Sequence, residues 1–194
     1  MMNVVYCAQF RDSAGYGVAA RGYLKSLDEY LKKNPTAYNL KLYSSVVAQS
    51  NKMTTDEISL IEKYEFRNDE DIEEMISQDY IFIWHMPPPL ITFGDDRFHP
   101  SPNCSPRMLR LIDNAVHNIN LVAWEVDNLP PEWMLDYRYF KPSMIITPSK
   151  WNAEVFADKT GLPCEVVPHV IEKLSEEEMP IRMPVDLDKK FVVL

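Results

Sequence analysis

The fold is decided by residues 3–31, which read NVVYCAQFRDSAGYGVAARGYLKSLDEYL. The first six of these residues form a short apolar run typical of a buried strand. Apolar residues then recur at intervals of three and four from Val18 to Leu31, which predicts an amphipathic helix. Asn34-Pro35 ends that helix, and residues 39–44 alternate as a second strand would. Strand, glycine-containing loop, helix and strand in this order predict a βαβ unit.

The rest of the chain continues this alternation of strands and helices. Further strands are predicted at residues 80–84, 120–126, 144–147 and 164–167, and further helices begin near Thr54, Asp69, Met108, Pro130 and Lys150. Residues 94–106 contain three prolines and are predicted to be a loop. The alternation predicts the α/β class: a Rossmann-like, doubly wound, mostly parallel sheet with helices on both faces.

The domain organisation follows from a change in composition near the C-terminal end. Residues 1–171 carry the whole strand and helix pattern and are predicted to form one domain. Residues 172–190 are acidic and contain prolines, which is typical of a linker. The last four residues, Phe191-Val192-Val193-Leu194, resemble a buried strand. That strand either closes the first sheet or begins a second domain that is cut short.

Composition and charge exclude several classes of protein. The 194 residues include 29 acidic and 20 basic side chains, for a formal net charge of −9, which disfavours sequence-independent binding to nucleic acid. No apolar run approaches the roughly 20 residues of a membrane span, and the first residues lack the features of a signal peptide. The three cysteines are far apart, which is typical of reduced thiols. We therefore expect a soluble cytoplasmic protein.

The loop after the first predicted strand is the first candidate binding element, because parallel sheets bind ligands beyond the carboxyl ends of their strands. It reads Ser13-Ala14-Gly15-Tyr16-Gly17. Its glycines allow the backbone to approach a ligand closely, and amides at a helix start favour an anion such as phosphate. The spacing matches neither the dinucleotide-binding nor the P-loop motif. An anion site and a plain tight turn fit this loop equally well.

Two further candidates follow later strands. His85 comes at the end of the most apolar strand and could bind a substrate hydroxyl, although its position alone favours a histidine that caps strand carbonyls. Trp124-Glu125-Val126-Asp127 places two carboxylates on one side if the strand continues through Asp127. Glu125 could orient a sugar hydroxyl and Trp124 could pack on a sugar ring. Capping of the helix that starts at Pro130 is an equally good role for Asp127.

The last candidates lie near the C-terminal end of the predicted sheet. Ser149 and Lys150 begin a helix, and Ser149 is a good N-cap residue, so its role could be structural alone. His169 follows the last predicted strand and either lines a cleft or is exposed at the start of the linker. The sequence contains no metalloprotease motif or cysteine cluster that would predict a metal site, and no serine hydrolase motif.

Five segments occur in the order and spacing of one group of enzymes. They are residues 13–21 (SAGYGVAAR), 85–88 (HMPP), 124–130 (WEVDNLP), 147–156 (TPSKWNAEVF) and 166–169 (VVPH). In this order they resemble the N-terminal, acceptor-side domain of retaining glycosyltransferases with the GT-B fold, of the group-1 or family-four type. The resemblance covers nearly all of residues 3–171, and the ordered set is more specific than any one segment.

The resemblance implies a function and roles for these residues. In such enzymes two Rossmann-like domains face a cleft, and the C-terminal domain holds most of the nucleotide-sugar. The glycine loop, here Ser13 to Gly17 with Arg21 in the following helix, approaches the donor phosphates and the acceptor. His85 would contact the transferred sugar, and Glu125 would lie near donor or acceptor hydroxyls. Trp124, Asp127, Ser149, Lys150 and His169 would complete the substrate site, with His85 and Glu125 as the catalytic pair and neither a metal nor another cofactor.

The sequence departs from this family where the donor-binding domain should follow. We therefore expect little sugar transfer by this chain alone, and expect as partners a nucleotide-sugar, a glycan or other acceptor, and either a separate C-terminal half or a second copy that covers exposed apolar surface. The alternative is a non-catalytic module of the same fold that binds a glycan or a protein. A nucleotide-binding regulator of flavodoxin-like shape fits the alternation but leaves the ordered segments unexplained.

Overall fold

A central sheet of parallel strands organises the protein, which is described by a computed structural model at residues 1–45, 53–94, 97–101 and 104–170. The sheet has six strands in the order β2-β1-β3-β6-β7-β8, and all neighbouring strands are parallel. The strands are β1 Met2–Ala8, β2 Tyr38–Ser44, β3 Tyr80–His85, β6 His117–Leu121, β7 Met144–Thr147 and β8 Cys164–Val166. The predicted α/β class and parallel sheet are confirmed.

Helices connect these strands and cover both faces of the sheet. They are α1 Gly15–Lys33, α2 Thr55–Tyr64, α3 Asp69–Ile76, α4 Pro106–Asp113, α5 Trp133–Phe140 and α6 Lys150–Thr160. The predicted start near Thr54 is confirmed, because Thr54 and Glu57 form a reciprocal capping box at the first turn of α2. None of the helices in the described ranges is both long and apolar enough to cross a membrane.

Two apolar cores lie on opposite faces of the sheet, because alternate side chains of a strand point to opposite faces. On one face, Tyr6, Leu40 and Leu121 pack with α1 and α2. On the other, Phe82 and Trp84 pack with α3 and α4. A third cluster, around Val122, Trp133, Tyr137, Ile145 and Phe156, packs α5 and α6 against the far half of the sheet. The arrangement is doubly wound, as predicted.

The prediction of a loop at residues 94–106 is wrong in part. Strands β4 Ile91–Gly94 and β5 Arg97–Pro100 pair as an antiparallel ribbon, in which Ile91 lies opposite Pro100. The prolines of this region misled the prediction, because proline is tolerated at the end of an edge strand, where the lost N–H donor is not needed by a further neighbour. Helix α4 begins soon afterwards, at Pro106.

The strand predicted at residues 120–126 lies earlier in the chain, at His117–Leu121. After Leu121 the amide of Val122 still donates to the carbonyl oxygen of Ile146 in β7 at 2.9 Å, and the side chains of Val122 and Trp124 pack in the third cluster. The domain predicted over residues 1–171 is described up to Val170. The linker predicted at 172–190 and the strand predicted at 191–194 lie outside the described residues.

The strand order also shows where a ligand would enter. From β1 the chain passes to β2 on one side, and the later strands β3, β6, β7 and β8 follow in order on the other. The order therefore reverses between β1 and β3. In open parallel sheets, ligands bind outside the carboxyl ends of the strands at such a switch point.

Candidate functional site

The register of the central strands brings three connecting loops together at this switch point. Ala8, the last residue of β1, pairs with His85 at the end of β3, and His85 pairs with Leu121 at the end of β6. The loops that follow these residues therefore leave the sheet side by side. They surround a cavity of about 630 Å³.

Six of the residues predicted from the sequence line this cavity: Ala14, Gly15, Tyr16, His85, Glu125 and His169. The structure thus brings together residues that are separated by up to 155 positions in the chain. The same lining includes Gln9, Ala123 and Val170, which no sequence motif indicated, and Val18 and Ala19, which belong to the segment 13–21 but were assigned no role. Glu125 is exposed at the mouth of the cavity, whereas His85 is 1% exposed at its base.

His85 is held by aromatic side chains on several sides. Its Nδ1 lies 2.7 Å from the hydroxyl of Tyr6, and the rings of Tyr16 and Tyr23 contact it edge-on at centroid distances of 5.4 and 5.6 Å. Burial, and to a smaller extent the neighbouring His169, lowers the pKa of His85 from 6.5 to about 3. The imidazole is therefore neutral at physiological pH. Its buried Nε2 has no hydrogen-bond partner among the described residues.

Tyr16 connects the glycine loop to the loop that carries Glu125. The Tyr16 hydroxyl donates to the carbonyl oxygen of Ala123 at 2.7 Å and accepts from the amide of the same residue at 3.1 Å. Burial raises the pKa of Tyr16 to about 12, so the hydroxyl stays protonated and can donate. Residue 125 lies two positions beyond this double contact, so the position of Glu125 depends on it.

The N-terminus of α1 opens onto the cavity. Its N-cap residue, Ala14, has no side chain that can cap the helix, and the first turn contains no acidic residue. The first intrahelical bond is donated by Val18 to Ala14, so the amides of Gly15, Tyr16 and Gly17 precede the ladder of helical bonds. Such amides favour an acceptor or an anion.

The glycines of this loop serve different purposes. A Cβ at position 17 would lie 2.3 Å from the carbonyl oxygen of Asp12, so only glycine fits where α1 crosses the preceding loop. A Cβ at position 15 would meet no atom within 4 Å. Gly17 is thus a packing residue, whereas Gly15 leaves open space beside the cavity.

Two other residues predicted in or after this loop lie outside the cavity lining. Ser13 is exposed. The guanidinium of Arg21 donates to the carbonyl oxygens of Phe10 and Asp12 at 2.8 and 2.6 Å and pairs with Glu57 at 3.0 Å. Arg21 therefore shapes the backbone of the loop from inside the fold.

The remaining predicted residues also lie outside the lining. Trp124 packs on Trp133 at a ring-centroid distance of 4.4 Å and donates from its indole nitrogen to Asn128. Because β6 ends at Leu121, the strand does not continue through Asp127, which was the condition for Glu125 and Asp127 to share one side of a strand, and Asp127 is exposed in a loop. Ser149 caps α6 by accepting from the amide of Asn152, and Lys150 is exposed.

Several buried polar residues that support the site were missed by the sequence analysis. Asn120 donates to the carbonyl oxygens of Trp84 and Met86, on either side of His85, and accepts from Tyr137. Asn152 accepts from the amide of Trp124 and donates to its carbonyl oxygen. No signal in the sequence points to this network, because β6 reads HNINL and Asn120 is one of three polar residues in that strand.

The buried carboxylate of Asp136 holds the loop that follows β3. It accepts from the amides of Leu90 and Ile91 at 2.6 and 3.1 Å. Burial raises the pKa of Asp136 from 3.8 to about 6, although both amide hydrogen bonds oppose this shift. Asp136 connects α5 to the segment that leaves His85.

The chemistry of the cavity is that of a hydrogen-bonding site with little positive charge. Its lining offers the amides of α1, two imidazoles and the carboxylate of Glu125, and among the described lining residues there is no lysine or arginine. His169 contacts the hydroxyl of Tyr23 through Nδ1 at 3.3 Å, and partial burial lowers its pKa. Within the described ranges no three potential metal ligands cluster.

Comparison with protein-family models gave no match to this chain, and comparison with curated proteins also gave none.

Proposed function

We propose that this chain is the acceptor-side domain of a retaining glycosyltransferase of the GT-B type, which transfers a sugar from a nucleotide-sugar to an acceptor. The observation that carries the proposal is the cavity at the switch point, whose lining includes Gly15, His85 and Glu125. These residues come from three of the five segments on which the resemblance rests. A loop cluster of this kind at the carboxyl edge of a parallel sheet is the expected ligand site of the fold.

The proposed roles follow from the surroundings of each group. The carboxylate of Glu125, exposed at the mouth of the cavity, accepts hydrogen bonds from sugar hydroxyls. The neutral ring of His85 supplies a hydrogen bond from a desolvated position, where such a bond is stronger than in water. The free amides of α1 stabilise negative charge on the departing phosphate. A second, donor-binding domain supplies the contacts to the nucleotide.

A second candidate function is favoured by the charge of the cavity. A diphosphate carries several negative charges, yet the described lining contains no cationic side chain and includes Glu125. A neutral glycan would bind there without that repulsion. The second candidate is therefore a non-catalytic glycan-binding module with the same cavity.

Titration calorimetry with the 194-residue chain separates the two candidates. UDP-glucose, UDP-galactose, UDP-N-acetylglucosamine and GDP-mannose serve as donor probes, and maltotriose and cellotriose as glycan probes. Binding of a nucleotide-sugar supports the transferase, and a glycan lengthened by one sugar when a donor-binding half is supplied would establish transfer. Binding of a glycan, with no lengthened product when that half is supplied, supports the second candidate. If no probe binds, the proposal of a sugar site is overturned.

A matched pair of variants locates the binding. Glu125→Gln removes a carboxylate that lines the cavity, whereas Asp127→Asn removes an exposed carboxylate two residues away that does not. We expect Glu125→Gln to weaken binding about tenfold, since hydrogen bonds to charged groups contribute about 1.5–3 kcal/mol. Asp127→Asn should leave the affinity unchanged. Equal effects of both substitutions would show that net charge, and not the cavity, controls binding.

A further inference from the structure

Tyr6 and His85 form a buried hydrogen-bonded pair at the base of the cavity. The distance from the Tyr6 hydroxyl to Nδ1 of His85 is 2.7 Å, and the two rings are nearly parallel at a centroid distance of 6.0 Å. Tyr6 is 2% exposed and His85 is 1% exposed. Tyr6 lies on β1 and was not indicated by any sequence motif.

Both partners of this pair are neutral. Burial raises the pKa of Tyr6 well above its ordinary value and lowers that of His85 to about 3. A neutral imidazole carries one N–H hydrogen, on either Nδ1 or Nε2. The short contact therefore has two alternatives: the phenol donates to Nδ1, or Nδ1 donates to the phenol oxygen.

The donor and acceptor strengths of the two groups decide between these alternatives. Either alternative leaves one donor and one acceptor without a partner in the described structure, so the number of hydrogen bonds is the same in both. A phenol, with an ordinary pKa of about 10, is a stronger hydrogen-bond donor than the N–H of a neutral imidazole, and an imidazole nitrogen is a stronger acceptor than a phenol oxygen. Donation by the phenol to Nδ1 is therefore favoured.

We infer that Tyr6 is a positioning residue that holds His85 as the Nε2–H tautomer, so that the ring presents a hydrogen-bond donor to the ligand of the cavity. This inference rests on the proposed function only for the identity of the ligand. It specifies that the ligand group beside His85 is an acceptor oxygen, such as a sugar hydroxyl, ring or phosphate oxygen. It also assigns His85 to substrate binding and not to proton abstraction, because Nε2 has no free lone pair.

Long-range ¹H–¹⁵N spectra of the histidine rings test the tautomer in the free protein. The chain has 4 histidines, and the His85 signals are those missing from the spectrum of His85→Gln. We expect a protonated Nε2 and an unprotonated Nδ1 at pH 7. A protonated Nδ1 would overturn the inference, and no variant or ligand is needed for that result.

The Tyr6→Phe variant tests whether the Tyr6 hydroxyl is what holds His85 in the Nε2–H tautomer. The substitution keeps the ring that stacks on His85 and removes only the hydroxyl, so the His85 nitrogens should move to intermediate shifts as both tautomers become populated. Tyr23→Phe is the matched control. The Tyr23 ring also contacts His85, at 5.6 Å, but its hydroxyl donates to Val167. An unchanged tautomer in Tyr6→Phe, or an equal change in both variants, would contradict the inference.

Titration of the labelled protein with UDP-glucose, and separately with maltotriose, distinguishes this inference from the proposed function. A change in the Nε2–H signal of His85 on binding, with about fivefold weaker binding by Tyr6→Phe, supports both. An Nε2–H tautomer that neither probe perturbs leaves the role of Tyr6 intact and counts against the proposed sugar site. If a probe instead perturbs the signals of His85 in its Nδ1–H tautomer, the result supports the sugar site and overturns the role of Tyr6.

Discussion

The hydroxyl of Tyr16 lies 2.7 Å from the carbonyl oxygen of Ala123 and 3.1 Å from its amide nitrogen, so one side chain satisfies both backbone groups of a residue 107 positions away. The contact joins the first turn of α1 to the loop after β6. It thereby connects the two walls of the cavity that carry Gly15 and Glu125.

Tyr16→Phe should destabilise the protein and loosen the site together. Loss of the hydroxyl leaves the amide and carbonyl of Ala123 without their partner, at a cost of about 1–3 kcal/mol in the free energy of unfolding. Urea denaturation measures this cost. The control is Tyr30→Phe, because Tyr30 is 49% exposed and far from the cavity lining, and its effect should stay below about 0.5 kcal/mol. Equal effects of the two substitutions would refute the role of the Tyr16 hydroxyl.

Alanine at the two glycines of the loop should act in opposite directions. Gly17→Ala forces a Cβ to within 2.3 Å of the Asp12 carbonyl oxygen, so we expect a loss of about 3 kcal/mol or more in unfolding free energy. Gly15→Ala meets no atom within 4 Å and replaces glycine at a helix start, so it should stabilise by up to about 1 kcal/mol. Thermal unfolding of both variants tests the contrast, and a tolerated Gly17→Ala would contradict the close crossing.

His85 should make the protein less stable as the pH falls below 6.5. The native state keeps the ring neutral down to about pH 3, whereas the unfolded chain takes up a proton near pH 6.5. The neutral ring therefore lowers the free energy of unfolding by about 1.4 kcal/mol for each pH unit below 6.5. The measurement is the unfolding free energy of wild type minus that of His85→Gln between pH 7 and pH 5. A difference that does not fall with pH would contradict the buried neutral ring.

Asp136 should contribute the opposite pH dependence. Its native pKa of about 6 exceeds the ordinary value of 3.8, so between these values the native state holds a proton that the unfolded chain does not. Its contribution to stability therefore increases as the pH falls from 6 to about 4 and is lost as the pH rises again. The unfolding free energy of wild type minus that of Asp136→Asn should accordingly be larger at pH 4 than at pH 7. A smaller difference at pH 4 would reverse the sign and contradict the prediction.

The local patterns of the sequence predicted most of the fold. Strand β7 spans residues 144–147 and helix α6 begins at Lys150, both as predicted, because Pro148 and the Ser149 cap mark the boundary between them. Strand β6 was predicted too late in the chain, because Val122 and Trp124 are apolar like strand residues but pack with α5 and α6 in the third cluster. The hairpin of β4 and β5 was missed, because its pairing depends on a neighbouring strand and not on proline content.

The residues of the candidate site also divide into those that the sequence predicted and those that it did not. Position after a strand was sufficient to select Gly15, His85 and Glu125, since the carboxyl ends of parallel strands all lie at one edge. Tyr6, Asn120 and Asp136 could not be selected, because nothing adjacent to them in the chain indicates which loop or ring their polar atoms reach.

The sequence by itself determined the α/β class, the alternation of strands and helices, and the edge of the sheet at which loops with polar residues gather. Only the tertiary structure decided which of those loops form the cavity, that Arg21 and Ser149 face structural partners, and that His85 is neutral and paired with Tyr6. The physical reason is the separation along the chain between the residues that interact. Strand and helix patterns depend on neighbours a few positions apart, whereas burial and hydrogen bonding at His85 depend on a residue 79 positions away.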